Sequence, residues 1–384
     1  MIIVADENIP LLESFFSDIG DIRQVPGRAM SAAEVKDADI LLVRSVTRVD
    51  EKLLAGSRVR FVGTCTIGTD HIDQQWLESA GIAFAAAPGC NANSVVEYVL
   101  SLISLRAEKL CIDDWTELSV GIIGAGNVGG GLAHKLGRLG FDVLVCDPPR
   151  AEVEEEDEEA FAELDEALKC DVVTLHTPLV RDGDHPTYHL LDARRLAALN
   201  ADQLLVNTSR GEVIDTAALV QRLAEADSPS VALDVWENEP RINPELADLA
   251  WIATPHIAGY SLEGKVQGTE IIYQALSRFM GLPVRKQSGQ FLPEPALSKL
   301  SFTSAADEMD AASIAIRCCC DPRRDDARFR RSLGLAADER GREFDRLRRE
   351  YPVRREFSSL KIQLKGTSKS AQDTFRALGF KLKL

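Results

Sequence analysis

Five polar segments follow short apolar runs between residues 171 and 260. They are His176-Thr177-Pro178, Asn207-Thr208-Ser209-Arg210-Gly211, Asp234, Glu239-Pro240 and Pro255-His256-Ile257-Ala258-Gly259-Tyr260. Together they bring an imidazole, a carboxylate and a guanidinium to one rim. Those three types suit hydride removal from a hydroxy acid. The imidazole takes the hydroxyl proton, the carboxylate holds the imidazole and favours its charged form, and the guanidinium grips a carboxylate. At this level the base is open between His176 and His256. Position favours His256, at the end of the last run and behind Pro255, whereas His176 reads as structural or cofactor-adjacent. The acid is open as well, between Glu239 and Glu237 two positions earlier.

A second constellation lies upstream. Gly124-Ala125-Gly126-Asn127-Val128-Gly129 ends one apolar run and opens a helical stretch; 18 residues after its last glycine, Asp147 ends the next run. In that context the glycines are a dinucleotide-binding turn. Gly124 allows the tight turn, Gly126 lets a pyrophosphate approach, and Gly129 lets helix and strand pack closely. The helix start offers unpaired N–H groups to phosphates. Asp147 is placed to accept from a ribose 2′-hydroxyl and to repel a 2′-phosphate, so NAD rather than NADP is the expected cofactor, with Arg150 nearby acting in the opposite sense.

The elements that must hold these residues are legible as short apolar runs. Residues 2–6, 39–44, 59–64 and 82–88 read as one set of buried strands with helical stretches between them. Residues 119–124, 142–147, 171–176, 203–209, 230–236 and 251–256 read as a second set, six strands with helical crossovers. Ser94-Val95-Val96-Glu97 has capping-box spacing and opens an apolar helical run to Lys109. Prolines 283, 293 and 295 mark a linker. The chain end, from Lys361, reads as strand, loop, helix. The fold class is therefore α/β, two Rossmann-like doubly wound parallel-sheet domains plus a small C-terminal α+β domain.

Composition excludes several classes. With 384 residues, 45% apolar and 27% charged, the chain can bury a large core. No run is long enough to span a membrane, and the start, MIIVADENIP, lacks the basic region of a signal peptide. The eight cysteines show no metal-ligand or disulfide-framework spacing, so no metal is expected and a reducing cytosol is the simplest setting. Residues 281–384 carry 22 Lys+Arg and 14 Asp+Glu, or +8, which leaves −24 on residues 1–280. A body that acidic disfavours nucleic acid. The basic end is expected to dock on the acidic body, its own or a partner's. Within it, Arg354 or Arg355 is a candidate for gripping a substrate phosphate. The run AEVEEEDEE at 151–159 reads as a solvated acidic face or loop.

NTSRGEVID, LDVWENEP and TPHIAG, with GAGNVG upstream, resemble the D-isomer-specific 2-hydroxyacid dehydrogenases, in that family's order. The resemblance implies Arg210, Glu239 and His256 as the catalytic set, since the family's Glu directly precedes Pro. ADENIP, LLVRSVTRV, GTCTIGTDHID, APGCNANSVVEYVL, HIAGYSLEGK, DPRRDDARF and YPVRREFSSL narrow it to the erythronate-4-phosphate dehydrogenases of vitamin B6 biosynthesis, over nearly the whole chain. That implies a 4-phospho-D-erythronate substrate and a homodimer joined through the C-terminal extension. It also implies NAD contacts from Gly126, Asn127, Asp147, Thr177, Thr208, Ser209, Arg210, Asp234 and Gly259, to which the glycine motif adds Gly124, Val128 and Gly129. Ser45, Thr66 and Tyr260 are implied as substrate residues. Arg44, beside Ser45 at a strand end, joins them, and Thr66–Asp70 reads as a loop before a helix whose N–H groups suit an anion. The resulting domains are 1–93 with 262–282 for substrate, a lid; 94–261 for NAD; and 283–384 for dimerisation. Two other readings stay in play: a different phosphorylated 2-hydroxyacid dehydrogenase, such as one acting on 3-phosphoglycerate, and a non-enzymatic NAD-sensing protein on the same fold.

Overall fold

The computed structural model describes residues 1–153 and 161–383, so most of the acidic run expected at 151–159 lies outside the described residues. The chain divides into two compact units, Met1–Ala92 with Tyr260–Glu294, and Asn93–Gly259 with Pro295–Leu384.

The first unit holds β1 (Ile2–Asp6), β2 (Asp21–Val25), β3 (Ile40–Val43), β4 (Phe61–Thr64) and β5 (Ala83–Ala85), a parallel sheet in the order β2-β1-β3-β4-β5. β3 and β4 are buried at every position, as a parallel sheet covered on both faces requires. β2 was not expected from the sequence. It lies at the sheet edge, and of DIRQV only Val25 is buried, so it carries no apolar run. Helix Leu262–Phe279 returns to this unit and packs Val266, Ile272, Tyr273 and Leu276 against Phe15, Phe16 and Phe61.

In the second unit β6 (Val120–Ile123), β7 (Val143–Cys146), β8 (Val172–Leu175), β9 (Leu204–Asn207), β10 (Ser230–Leu233) and β11 (Ile252–Ala253) form a parallel sheet in the order β11-β10-β9-β8-β6-β7. The strand order reverses between β6 and β8, the point where doubly wound sheets open a crevice at their carboxyl ends. All six expected strands are present.

Helix Ala92–Leu110 starts before the expected capping box. Ser94 Oγ instead donates to Glu356 Oε1 at 2.8 Å, and Glu97 Oε1 accepts from the Phe357 N–H at 2.9 Å. The pair is spent on chain-distant partners, not on capping.

The basic C-terminal segment docks on its own chain's sheet. It forms β12 (Lys299–Thr303), β13 (Lys361–Lys365) and β14 (Lys381–Lys383), a parallel sheet in the order β12-β13-β14. Phe329 and Phe344, from helices Pro322–Leu333 and Ala337–Arg349, join the core under β10, with ring centroids 5.8 Å apart and Phe329 5.7 Å from Trp236. Each such buried ring is worth about 1.5–3 kcal/mol from burial alone. Asp326 accepts the Ala253 N–H at 2.8 Å, and Arg330 donates to the carbonyls of Ala247, Asp248 and Ala250. Arg317 pairs with Glu108 of the long helix. Among the described residues no helix is long and apolar enough to cross a membrane.

Candidate active site

At the reversal point the glycine turn is built for a close approach. Gly124 has φ +93°, and a Cβ there would meet the His176–Thr177 backbone at 2.9 Å; a Cβ at Gly129 would lie 1.8 Å from the Gly124 oxygen. Gly126, the N-cap of the 13-residue helix Asn127–Leu139, has no side-chain cap and no atom within 4 Å of a Cβ position. Beside Gly124, Thr177 Oγ1 is buried without a hydrogen-bond partner among the described residues. A closed turn, an open helix start and an orphaned hydroxyl fit a dinucleotide. Asn127 and Val128 open the helix itself. Asp147 Oδ2 accepts the Ala125 N–H at 2.7 Å and its Oδ1 accepts the Arg150 N–H at 3.2 Å, which holds the carboxylate beside the turn. Arg150 donates to the Ala125 carbonyl at 2.7 Å.

After β9, Asn207 shapes the next loop. Its Oδ1 accepts both the N–H and the hydroxyl of Ser209, and its Nδ2 donates to the Arg210 carbonyl at 2.9 Å. Ser209 is therefore turned inward, while Thr208 meets His176 Nδ1 at 3.2 Å. Arg210 precedes Gly211, where a Cβ would fall 1.9 Å from the Trp236 carbonyl carbon. That contact sets the Arg210 loop directly on the backbone of the turn carrying Glu237 and Glu239. Arg210 Nη1 donates to the Ser209 carbonyl at 2.8 Å.

His256 follows β11 in a left-handed conformation, φ 57°. Such a backbone costs of order 1–3 kcal/mol unless its surroundings fix it. Asp234 does so: its carboxylate accepts the N–H groups of Ile257 at 2.7 Å and Ala258 at 2.8 Å and the Thr254 hydroxyl at 2.6 Å, and its carbonyl accepts the His256 N–H. Burial pushes the Asp234 carboxyl up despite these donors. His256 Nδ1 meets Glu239 Oε2 at 2.8 Å, and its Nε2 has no partner among the described residues. Burial pushes Glu239 up, but the charge and hydrogen bond of His256 outweigh it and hold the carboxyl below its usual range. The other Glu239 oxygen accepts the Trp236 N–H at 3.0 Å.

The rivals resolve differently. Glu237 pairs with His189 Nε2 at 2.9 Å, a histidine that the sequence did not single out and that no fixed spacing marks. His176 has both ring nitrogens on hydroxyls, Thr174 at 2.9 Å and Thr208 at 3.2 Å; burial pushes it down to about 3, so the ring is neutral and faces no acid. Arg354 or Arg355 was the candidate for a substrate phosphate, and Arg354 turns away from such a role. It is 7% exposed, and its Nη2 donates inward to the carbonyls of Ser94 and Ala258.

The remaining candidates belong to the first unit. Ser45 is exposed after β3, and Arg44 Nη1 donates to the Asn8 carbonyl at 3.3 Å. Thr66 Oγ1 bonds the Gly68 carbonyl and the Thr64 hydroxyl, which meets His71 Nε2. The helix expected to start behind Thr66–Asp70 begins only at Gln74, and Asp73 caps it by accepting the Trp76 N–H. Its N–H end therefore does not serve that loop. Lys265 Nζ lies 4.5 Å from the Tyr260 ring centroid. Among the described residues no His, Cys, Asp and Glu cluster is arranged to hold a metal.

Comparison with known proteins identifies the family and the fold. Residues 101–258 match the NAD-binding domain of the D-isomer-specific 2-hydroxyacid dehydrogenases, and residues 291–379 match a domain of unknown function. The D-lactate dehydrogenase of Aquifex aeolicus, solved with NAD and lactic acid, superposes with a TM-score of 0.59 at 24% identity, covering 73% of this chain and 96% of its own. The NAD-bound 3-phosphoglycerate dehydrogenase of Entamoeba histolytica does so at 0.60 and 24%, covering 76% and 99%. Fold and site thus define an NAD-binding 2-hydroxyacid dehydrogenase. Over its full length the chain is 69% identical to the whole erythronate-4-phosphate dehydrogenase of Marinobacter nauticus, and 53% identical to that of Hahella chejuensis, with 100% of this chain and 99% of the relative aligned. The chain belongs to the erythronate-4-phosphate dehydrogenase family.

Proposed function

We propose that the protein oxidises the C2 hydroxyl of 4-phospho-D-erythronate to 3-hydroxy-2-oxo-4-phosphooxybutanoate with NAD, a step of pyridoxal 5′-phosphate biosynthesis, as a cytosolic homodimer. The observation that carries the chemistry is the 2.8 Å bond between His256 Nδ1 and Glu239, which leaves Nε2 open. Nε2 takes the C2 hydroxyl proton, and Glu239 keeps the ring oriented and stabilises its charge. Arg210 holds the C1 carboxylate, a planar pairing that a guanidinium makes in a bidentate way. Gly124, Gly126, Asn127, Val128, Gly129, Asp147, Thr177 and Thr208 would hold NAD, which when bound accepts the hydride. Ser209 and Asp234, whose side chains are already engaged, would contribute through the backbone they shape, with Gly259 closing the same loop. Arg44, Ser45, Thr66 and Tyr260 are the substrate residues in this reading. Domains 1–93 with 262–282, 94–261 and 283–384 take substrate, NAD and the partner copy respectively in this reading.

Purified protein assayed for NADH formation against erythronate 4-phosphate, erythronate and 3-phosphoglycerate tests this. Preference for the first is expected. Preference for 3-phosphoglycerate sinks the substrate assignment, and NADH binding without turnover on any of them would make the protein a sensor.

A further inference from the structure

The His256 loop is gripped from two sides. On one side Asp234 takes the N–H groups of Ile257 and Ala258. On the other, Arg354 Nη2 donates to the Ala258 carbonyl at 2.6 Å and to the Ser94 carbonyl at 3.0 Å, with Nη1 3.6 Å from Cys320 Sγ. The two grips share a buried network, because Thr254, which donates to Asp234, also meets the Tyr98 hydroxyl at 2.7 Å. Ser94 and Tyr98 are both on the long helix. Arg354 itself arrives from the C-terminal segment, almost fully buried. A charge in such a place costs several kcal/mol unless opposed and hydrogen-bonded. Glu356 supplies opposing charge, and it is tied to Glu97 through Asn93 Nδ2, at 2.7 and 3.0 Å respectively. Burial, and then the neighbouring Glu356, pushes the Glu97 carboxyl well up.

We propose that Arg354 is a positioning residue for His256: by fixing the Ala258 carbonyl it holds the left-handed turn that presents the imidazole. The C-terminal segment then takes part in forming its own chain's active site, whatever it does between copies. The proposal rests on the reading of His256 as base.

A second buried arginine supplies the control. Arg106, 3% exposed, also holds carbonyls, those of Ala201 and Asp202, together with the Ser230 hydroxyl. Those partners lie at the amino ends of β9 and β10, the edge of the sheet away from His256. Both side chains are buried and each holds two carbonyls through Nη2, but at opposite ends of the sheet.

The test uses the full-length chain carrying Arg354→Met, Arg354→Lys or Arg106→Met. Arg354→Met is expected to speed hydrogen exchange at the Ile257 and Ala258 amides and to lower kcat about 10- to 100-fold, the scale of a small misplacement of a catalytic group. NAD affinity should stay nearly unchanged, and Arg354→Lys should recover part of both losses. Arg106→Met should lower Tm while leaving kcat and those two amides alone. Unaltered exchange at Ile257 and Ala258, or an equal kcat loss in Arg106→Met, overturns the proposal. If Arg354→Met does not fold, Arg354→Lys decides on the same two readouts. An active His256→Asn enzyme would remove the base reading, and the exchange rates would still decide whether Arg354 braces the loop.

Discussion

Two acid–histidine pairs sit side by side in this protein, and only one is built for proton transfer. Glu239 meets His256 at 2.8 Å and Glu237 meets His189 at 2.9 Å. Both histidines have positive φ, 57° and 50°. The difference lies on the far side of each ring. His256 uses Nδ1 for the acid and presents Nε2 without a partner among the described residues. His189 gives Nε2 to Glu237, has Nδ1 3.7 Å from Asp215, and lies stacked under Tyr188 with centroids 4.0 Å apart. Glu237 is also committed, accepting the Thr216 N–H at 3.2 Å. A short bond between acid and imidazole therefore does not by itself mark a base; an uncommitted second nitrogen does.

Removing each imidazole should separate the pairs most strongly. His256→Asn should lose about 10²–10⁴-fold in turnover while still binding NADH. His189→Asn should instead cost about 1–2 kcal/mol of stability, seen as a lower Tm, with turnover nearly intact. Comparable turnover losses in both would end the distinction.

Next in size is Arg210→Lys, which keeps the charge but loses the fork. KM for the hydroxy acid should rise and kcat fall, with NAD affinity steady. An equal loss of NAD affinity would move Arg210 from substrate to cofactor. Gly211→Ala should disturb both pairs together, because its Cβ would collide with Trp236. About 1–3 kcal/mol of stability and a matching drop in kcat are expected, measured by thermal melts and steady-state rates.

The acids give a finer separation. Glu239→Gln should move the acidic limb of the kcat/KM profile to lower pH, since an amide no longer favours the charged imidazole, while Glu237→Gln should leave the profile in place. A last separation, silent at neutral pH, concerns stability and His176. Its folded-state pKa is depressed to about 3 from 6.5. The unfolded chain then binds more protons between those values, so stability falls as pH drops below 6.5. His176→Gln should flatten urea-derived stability across that window. An unchanged slope would mean the ring is not held neutral.

Much of this was open to sequence reading, for reasons that differ by element. β3, β4 and the inner strands of the second sheet are apolar at nearly every position because both faces are covered, and such runs stand out. β2 escaped because an edge strand of DIRQV shows water most of its side chains. The glycine turn was legible because its demands are local. The pairing of Glu239 with His256 was not: the spacing allowed Glu237 equally, and only resemblance to a family separated them. Ser94 and Glu97 misled for the same reason, since a spacing that suits a cap says nothing about Glu356 and Phe357 far along the chain.

The brace between Arg354 and Ala258 also sets an order of events during synthesis. Asp234, Glu239 and His256 leave the ribosome before the residue that holds their loop. At about 5–20 residues per second, the roughly 100 residues between His256 and Arg354 take about 5–20 s to follow. The dinucleotide turn can close on local contacts within that interval. The base cannot be locked until the last part of the chain has emerged and threaded Arg354 beneath Ala258. A stalled nascent chain ending before Arg354 should accordingly hold NAD while turning over far more slowly than the finished chain, so that full competence arrives late.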